Sequence, residues 1–411
     1  MNILYIVHQF FPECRSGTEK FLLNLVASLQ QDGDTVRVVA HTLADPDGTF
    51  ERNGALFIRK DVYNGVPVTA VRQRTFPVDI NSSFEDPDIY RFAREFLQGH
   101  GRCDLMHIAH PMRMASFAEA AMEMGIPYVL TLTDFWLLCP KIFLRTSSGA
   151  LCAGPEGGET CSRLCPELQP AQVKSRLAQA RQILTGAKAL VAPSRFVAAV
   201  FQKEFPDLKI QIIPHGLNLK HLKPSSRMYR QGEKIVFGYS GGLAPHKGAH
   251  LLLQAFRNLQ GENAELRLYG QTSHEKDYLH LLQEMARPDQ RIQFRGTYTE
   301  TETGEVLRNI DVMVIPSLCY ETYSLTLHEA LGCDVPVIAA NLGALPERII
   351  DSTTGFTFQP GSEADLRAKL QLILANPELL NGIKRAIRNQ VLPLLEEEAY
   401  LYARLYRAFS S

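Results

Sequence analysis

Neither sign of charge is in excess in this chain: Lys+Arg 43 stand against Asp+Glu 44, a formal net of −1. Such a balance builds no field for nucleic acid and argues for no acidic partner. Long apolar runs are also missing, none approaching the roughly 18 residues that span a bilayer. The opening MNILYIVHQF lacks the basic n-region and extended apolar h-region of a signal peptide. These absences predict a soluble protein, most simply cytoplasmic. No repeat, low-complexity tract or block of like charge interrupts the pattern.

What is present is a chain of 411 residues, 45% of them hydrophobic, enough for two or three domains at roughly 150 residues each. Short apolar runs alternate with longer amphipathic stretches. Strands are expected at 3–7, 36–40, 66–71, 105–108, 128–132, 189–192 and 210–213. A second series follows at 235–239, 266–269, 292–294, 312–315, 335–339 and 355–358. Between them lie helical patterns such as 19–29, with Leu22, Leu25, Val26 and Leu29 on one face. This alternation predicts parallel sheets with crossover helices. The series restarts after Pro214-His-Gly-Leu-Asn218 and the polar stretch 220–234, which has linker chemistry. The expected fold class is α/β, with doubly wound parallel-sheet domains over 1–218 and 219–395. The C-terminal helix 396–411, with Leu401, Leu405 and Phe409 at four-residue spacing, is a candidate to pack back on the first. Open sheets of this kind bind ligand outside the carboxyl ends of their strands, here in a cleft between the domains.

Two segments of the second series carry chemistry. The run Gly238–Gly248, GYSGGLAPHKG, follows a strand and opens a helical pattern at 250–259. Glycines such as Gly241 and Gly242 let backbone N–H groups approach a ligand, and a helix N-terminus favours negative charge. Lys247 adds a mobile positive charge suited to phosphate; the plain alternative is a strand–helix turn with a solvent-facing lysine. Further on, ETYSLTLHEALG places Glu321 and Glu329 eight positions apart, between the strands expected at 312–315 and 335–339. Tyr323, Ser324 and Leu325 fall where a helix begins and its N–H groups are free. Glu321 can accept bonds from ligand hydroxyls, and Glu329, inside the helix, can fork onto a vicinal diol such as ribose. The alternative reading makes them a helix-end charge and a solvated face.

The order of these motifs, with Asn341-Leu-Gly-Ala-Leu-Pro-Glu347 after them, resembles retaining glycosyltransferases of family 4, which have a GT-B fold of two Rossmann-like domains facing a cleft. The N-terminal half agrees. His8-Gln-Phe-Phe-Pro12 leads into Ser16-Gly-Thr-Glu19, similar to the family's glycine loop, and Asp104–His107, Ala192-Pro-Ser194 and Ile213-Pro-His-Gly216 look like further landmarks. The resemblance implies polysaccharide or glycoconjugate biosynthesis: transfer of a sugar, with retained configuration, from a UDP- or GDP-sugar to a glycan, lipid-linked or other glycoconjugate acceptor, a lipid-linked one implying peripheral contact with the inner face of a membrane. It implies that Lys247 and the N–H groups of Tyr323–Leu325 hold the diphosphate. Glu329 would take the ribose and Glu321 the donor sugar, with Gly17 close to donor or acceptor. Family members use no catalytic divalent metal, since lysine and helix dipoles neutralise the leaving group. Attack on the same face, with the leaving phosphate assisting deprotonation, requires no dedicated nucleophile.

Two positions depart from the family pattern. Many relatives have an arginine five residues before the phosphate lysine, where this chain has Gly242, and one lysine cannot replace bidentate contacts. Arg195 and His246 are the cations that could compensate. Many relatives also have a histidine after the strand expected at 128–132, where this chain has Thr133 and Asp134. Asp134 can contact sugar hydroxyls, and His110, on the neighbouring strand, carries both a structural and a catalytic reading. The departures leave a rival function: a non-catalytic sugar-nucleotide-binding or scaffold protein.

Eight cysteines complete the pattern, four of them bunched as Cys139, Cys152, Cys161 and Cys165 with spacings x₁₂, x₈ and x₃. Their loop is rich in glycine and proline and has little core of its own. Four thiolates on one Zn²⁺ would pin it. The expectation is a structural zinc, ahead of an iron–sulfur cluster and ahead of four unconnected thiols. In the rival reading the same loop docks a partner.

Overall fold

The alternation of apolar runs and amphipathic stretches builds two sheets flanked by helices. The computed structural model describes residues 1–43, 48–74, 84–99, 103–271 and 276–409, so the last two residues of the 396–411 stretch lie outside it. The chain divides into two compact units, Met1–Gly216 with Leu395–Ser411, and Leu217–Leu394. Among the described residues no helix is long and apolar enough to cross a membrane.

The first unit contains β1 (Asn2–Val7), β2 (Thr35–His41), β3 (Glu51–Asn53), β4 (Leu56–Tyr63), β5 (Val66–Gln73), β6 (Leu105–Ile108), β7 (Tyr128–Thr131), β8 (Ala189–Ala192) and β9 (Ile210–Ile212). Their order in the sheet is β3-β4-β5-β2-β1-β6-β7-β8-β9. Every residue of β6 and β7 is buried, as strands covered on both faces must be. The second unit contains β10 (Ile235–Ser240), β11 (Ala264–Tyr269), β12 (Ile292–Gly296), β13 (Val312–Ile315), β14 (Val337–Ala340) and β15 (Gly355–Phe358), ordered β12-β11-β10-β13-β14-β15. All pairs in this sheet are parallel.

The expectation of purely parallel sheets fails at one edge of the first. There β4 runs antiparallel to both β3 and β5. Asn64 and Gly65 link β4 to β5 with φ of 49° and 79°, the left-handed pair that closes a two-residue hairpin. An apolar-run criterion misses β4 because Lys60, Asp61 and Val62 lie exposed. Antiparallel strands at an edge can face water on one side.

The C-terminal helix Leu395–Arg407 belongs to the first unit, but its buried row is not the expected one. Glu398, Ala399, Tyr402, Ala403 and Tyr406 are buried, whereas Leu401, Leu405 and Phe409 are only half-buried against the same core. Tyrosines can take the interior because their hydroxyls find partners. The Tyr406 hydroxyl lies 2.6 Å from His107 Nδ1 and 3.3 Å from the Tyr5 hydroxyl. Thr131 Oγ1 joins His107 Nε2 at 2.8 Å to the Tyr402 hydroxyl at 2.9 Å. Burial pushes His107 down to about 3, so the ring is neutral. A turn further back, Glu398 accepts the Gly216 N–H at 2.8 Å and meets His215 Nδ1 at 3.0 Å.

This network makes a stability prediction. Tyr406→Phe keeps the ring but leaves His107 Nδ1 without its hydroxyl partner. A buried polar group so deprived costs about 1–3 kcal/mol. Denaturant unfolding should show a loss in that range, and an unchanged midpoint would mean that the hydroxyl contributes nothing to holding the helix.

Candidate functional site

In the second unit the chain leaves β10 at Ser240, passes Gly241 and Gly242, and turns through the 3₁₀ segment Pro245–Lys247 into the helix Ala249–Arg257. Gly248 makes that turn with φ 73°, and a Cβ there would stand 1.9 Å from the Pro316 carbonyl oxygen, so only glycine fits. The backbone after β13 therefore lies directly against the turn, and Leu318 donates its N–H to the His246 carbonyl at 2.8 Å. That approach brings Lys247 Nζ within 2.8 Å of Glu321 Oε1, and Ser317 Oγ donates to the same oxygen at 2.6 Å. Burial works against both charges, but each partner outweighs it for the other. Lys247 holds its proton above its ordinary 10.5, and Glu321 ionises below its ordinary 4.5, with Ser317 and His246 assisting. The pair is charged throughout the neutral range.

The segment after Glu321 is held equally closely. Gly343, at φ 64°, packs where a Cβ would meet the Glu321 backbone at 2.4 Å, and Ala344 donates its N–H to the Glu321 carbonyl at 2.8 Å. The Asn341–Glu347 motif thus supports Glu321. The helix Leu325–Gly332 begins as expected, capped by Ser324, whose hydroxyl accepts from the Leu327 N–H at 3.3 Å. Ser324 sits at φ 71°, a strained conformation for a residue with a side chain. His328 Nδ1–H donates to the Ser324 carbonyl at 2.9 Å, and its ring stacks on Tyr323 with centroids 4.0 Å apart. Glu329 is half-buried one turn into this helix, beside the buried Ala330 and Leu331. Around Gly242 there is open space: a Cβ would meet nothing within 4 Å.

The first unit gathers a separate polar group at the ends of β1, β6 and β7. His110 is 2% exposed; Met112 N–H donates to its Nδ1 at 3.2 Å, which leaves the ring proton on Nε2, facing Asp134 Oδ2 at 2.7 Å. Both ring nitrogens are used, so as placed His110 positions Asp134. The other oxygen of Asp134 accepts from the Trp136 N–H at 2.8 Å. His8 packs against His110, ring centroids 4.0 Å apart and planes tilted by 36°, and approaches Glu19 Oε1 to 3.6 Å with its Nε2. Burial, then the fields of His110, Arg113 and His41, keeps His8 far below its ordinary value and neutral. Glu19 Oε2 accepts the Ser16 N–H at 2.8 Å, closing the turn at Gly17, which starts the helix Gly17–Gln31. The buried His8 Nδ1 and Glu19 Oε1 have no hydrogen-bond partner among the described residues.

Sequence reading named Lys247, Glu321, Tyr323–Leu325 and Glu329, and the fold brings them to one end of the second sheet. His110 and Asp134 meet in the first unit, where Gly17 also lies. Arg195 opens the first-unit helix Arg195–Glu204, while His246 adjoins Lys247. Sequence reading missed Ser317, His8 and Glu19 as site residues. The capping pattern Ser16…Glu19 and the His8–Pro12 segment before it were usable signals; Ser317 had none.

The metal expectation is not supported. Among the described residues no group of three or more His, Cys, Asp or Glu side chains is arranged to hold a metal ion. Cys139, Cys152, Cys161 and Cys165 are buried and free. Burial, then the fields of neighbouring thiols, raises Cys139 and pushes Cys161 up to about 12, which favours thiols over thiolates. The premise that the loop lacks other support was mistaken. Cys152 N–H bonds the Leu144 carbonyl at 2.8 Å, Lys203 Nζ bonds the Ala153 carbonyl at 3.1 Å, and Glu204 accepts the Gly157 N–H at 2.9 Å. Beneath it Arg176 lies 4.4 Å from the Phe84 ring centroid and 4.5 Å from that of Trp136. Thiol reagents at neutral pH should accordingly react slowly with these four cysteines in the native protein and promptly once it is unfolded. Stoichiometric release of zinc or iron during that titration would restore the metal.

Comparison with known proteins fits this geometry. Residues 227–390 match the family described as glycosyl transferases group 1, and residues 15–221 match glycosyltransferase family 4. The D-inositol 3-phosphate glycosyltransferase of Streptomyces bingchenggensis is 26% identical over 229 residues, covering 51% of this chain and 50% of that protein. The lipopolysaccharide 1,2-N-acetylglucosaminetransferase of Salmonella typhimurium is 23% identical over 224 residues, covering 51% and 56%. The chain spans about half the length of these curated relatives. Among solved structures, sucrose-phosphate synthase from Thermosynechococcus elongatus superimposes with a TM-score of 0.74 at 17% identity, covering 99% of both chains. Anabaena HepE, solved with UDP and glucose, gives 0.72 at 16% identity, covering 98% of this chain and 99% of that one. With both units matched and the architecture shared, the chain belongs to the family 4, group 1 glycosyltransferases of GT-B fold.

Proposed function

We propose that the protein moves a sugar from a nucleoside-diphosphate sugar, a UDP- or GDP-sugar, to a hydroxyl of a glycan, lipid-linked or other glycoconjugate acceptor, with the anomeric configuration retained. One observation carries this reading: the Lys247 ammonium held 2.8 Å from Glu321, in the same unit as the Ser324-capped helix N-terminus. Breaking a sugar–diphosphate bond places negative charge on the leaving phosphate. A fixed cation and free helix N–H groups stabilise that charge without reorganising. Lys247 can keep one of its three N–H groups on Glu321 and turn another to phosphate. In this reading Glu321, anchored by Lys247 and Ser317, faces the sugar hydroxyls and Glu329 takes the ribose diol. The reaction uses no divalent metal, and the leaving phosphate assists deprotonation of the acceptor. Within the first unit Asp134, positioned by His110, is a partner for sugar hydroxyls. His246, next to Lys247 in the same turn, takes the place of the family arginine.

Relatives named for transfer to inositol phosphate and lipopolysaccharide, and HepE solved with UDP-glucose, support the donor and acceptor classes. A thermal-shift screen against nucleotide sugars tests the reading directly. Ligand at about a hundred times Kd adds roughly 2.7 kcal/mol of stability. A nucleotide sugar that binds but is never transferred would favour the non-catalytic rival.

Lys247→Ala should weaken nucleoside diphosphate binding by about 1.5–3 kcal/mol, the range of a charge-assisted hydrogen bond, with the fold intact. Unchanged affinity and turnover would remove Lys247 from the site. The two glutamates should separate by ligand. Glu329→Ala is expected to weaken nucleotide sugar and free nucleoside diphosphate alike, because both contain ribose. Glu321→Ala should depress kcat more than it changes affinity for the free diphosphate, since it removes the sugar contact as well as the anchor of Lys247. The opposite pattern would exchange the two roles, and no effect from either would reduce both to helix-end charges.

A further inference from the structure

One histidine of the second unit touches both residues that lead into the helix Leu325–Gly332. His328 is buried and lies one helical turn beyond Ser324, which caps that helix. Ser324 is held at φ 71° and ψ 87°, in the left-handed region that residues with a side chain seldom occupy. Its hydroxyl accepts from the Leu327 N–H at 3.3 Å. Its carbonyl meets His328 twice, the backbone N–H at 3.4 Å and ring Nδ1 at 2.9 Å. A carbonyl oxygen can only accept, so Nδ1 carries the proton. The same imidazole lies flat on the buried Tyr323 ring, with centroids 4.0 Å apart and planes 7° from parallel. Helix propensity does not account for this residue, since histidine ranks below leucine and alanine. A buried polar ring is also costly unless it is bonded. What His328 does in this helix is hold Tyr323 and Ser324.

We infer that His328 is a positioning residue for the proposed transfer: it holds Tyr323 and Ser324 in the backbone conformation that aims the N–H groups of this helix start at the leaving diphosphate. The inference rests on the assignment of the diphosphate to that helix start. The first N–H groups of a helix have no partner within it, and the backbone just before the helix sets where they point. A serine at φ 71° relaxes toward negative φ unless its surroundings forbid it. Rotation about Ser324 turns its own N–H and, through ψ, that of Leu325. His328 opposes this rotation from two sides, by its bond to the Ser324 carbonyl and by its stack on Tyr323. The histidine acts through these two residues. Without it, affinity falls with the fraction of molecules that keep the competent backbone.

A double-mutant cycle on the full chain tests this, read by calorimetric titration with UDP, GDP and ADP. For whichever nucleoside diphosphate binds the parent most tightly, His328→Leu, which loses both contacts, should weaken binding about 3- to 12-fold, the range for one neutral hydrogen bond. Glycine adopts φ 71° without strain and needs no such support. Ser324→Gly alone should therefore bind within about twofold of the parent, glycine being a tolerable cap in place of serine. Added to His328→Leu, it should restore binding to that level. His328→Asn keeps an N–H donor where Nδ1 stands and should retain more affinity than leucine. If the leucine variant does not fold, His328→Phe, which keeps the ring and loses the donor, takes its place in the cycle. Parental affinity in the leucine or phenylalanine variant overturns the proposal, as does equal loss in leucine and asparagine. A loss that Ser324→Gly leaves unrepaired also overturns it, since damage to the helix core or to the neighbouring Glu329 would not respond to glycine. A parent protein that binds none of the three nucleotides overturns the diphosphate assignment together with the positioning role. Failure of the positioning role alone leaves parental nucleotide binding intact.

Discussion

The Lys247–Glu321 ion pair is the contact around which the second unit's site is arranged. It exists because two backbone segments approach more closely than any side chain permits: Gly248 against the Pro316 carbonyl, and Gly343 against Glu321 itself. A Cβ at either position would push a loop outward, and the 2.8 Å separation of ammonium and carboxylate could not survive it. Both charges pay a desolvation penalty, and each offsets the other's. The site thereby keeps a cation and an anion fixed in place before any ligand arrives. In the proposed reaction this pair would supply the preorganisation that stabilises a leaving diphosphate.

The first unit solves a different problem with the same materials. Its interior carries histidines and tyrosines among its aliphatic side chains, and His107, His110, Tyr402 and Tyr406 each meet a specific partner. His107 joins Tyr406 to Thr131, so the C-terminal helix is tied to β6 and β7 by bonds that a sliding helix would break. His110 uses one nitrogen on the Met112 backbone and therefore presents a proton to Asp134. Buried polar groups are costly unless satisfied, and satisfied ones specify a single arrangement. The half-exposed carboxylate of Asp134 is in this way fixed by a histidine that need not itself touch ligand.

Much of the fold was legible along the chain. Strands buried on both faces advertise themselves as apolar runs, and those over Leu105–Ile108, Ala189–Ala192, Val312–Ile315 and Gly355–Phe358 coincide with expectation to the residue. Strand β4, second from the edge, did not, because a strand wet on one side mixes charge with apolar residues; its Asn64-Gly65 turn was the clearer signal. The C-terminal helix misled for a related reason. Leu401, Leu405 and Phe409 are the more apolar row, but the tyrosines won the interior through hydroxyl partners far away in sequence. The cysteine loop misled by composition alone, since bonds that support it come from Lys203 and Glu204 outside it.

The sequence by itself determined the α/β class, the restart of the strand series, the glycine-rich turn before Lys247 and the eight-residue spacing of Glu321 and Glu329. These follow from local rules, hydrophobic period and turn chemistry, which act within a few residues. Only the tertiary structure decided that Lys247 and Glu321, 74 residues apart, neutralise one another, and that Ser240 and Tyr298, 58 apart, share a hydrogen bond. No periodicity links such positions. Their meeting depends on which strands lie side by side and where each one ends, and that is settled by how the whole sheet packs.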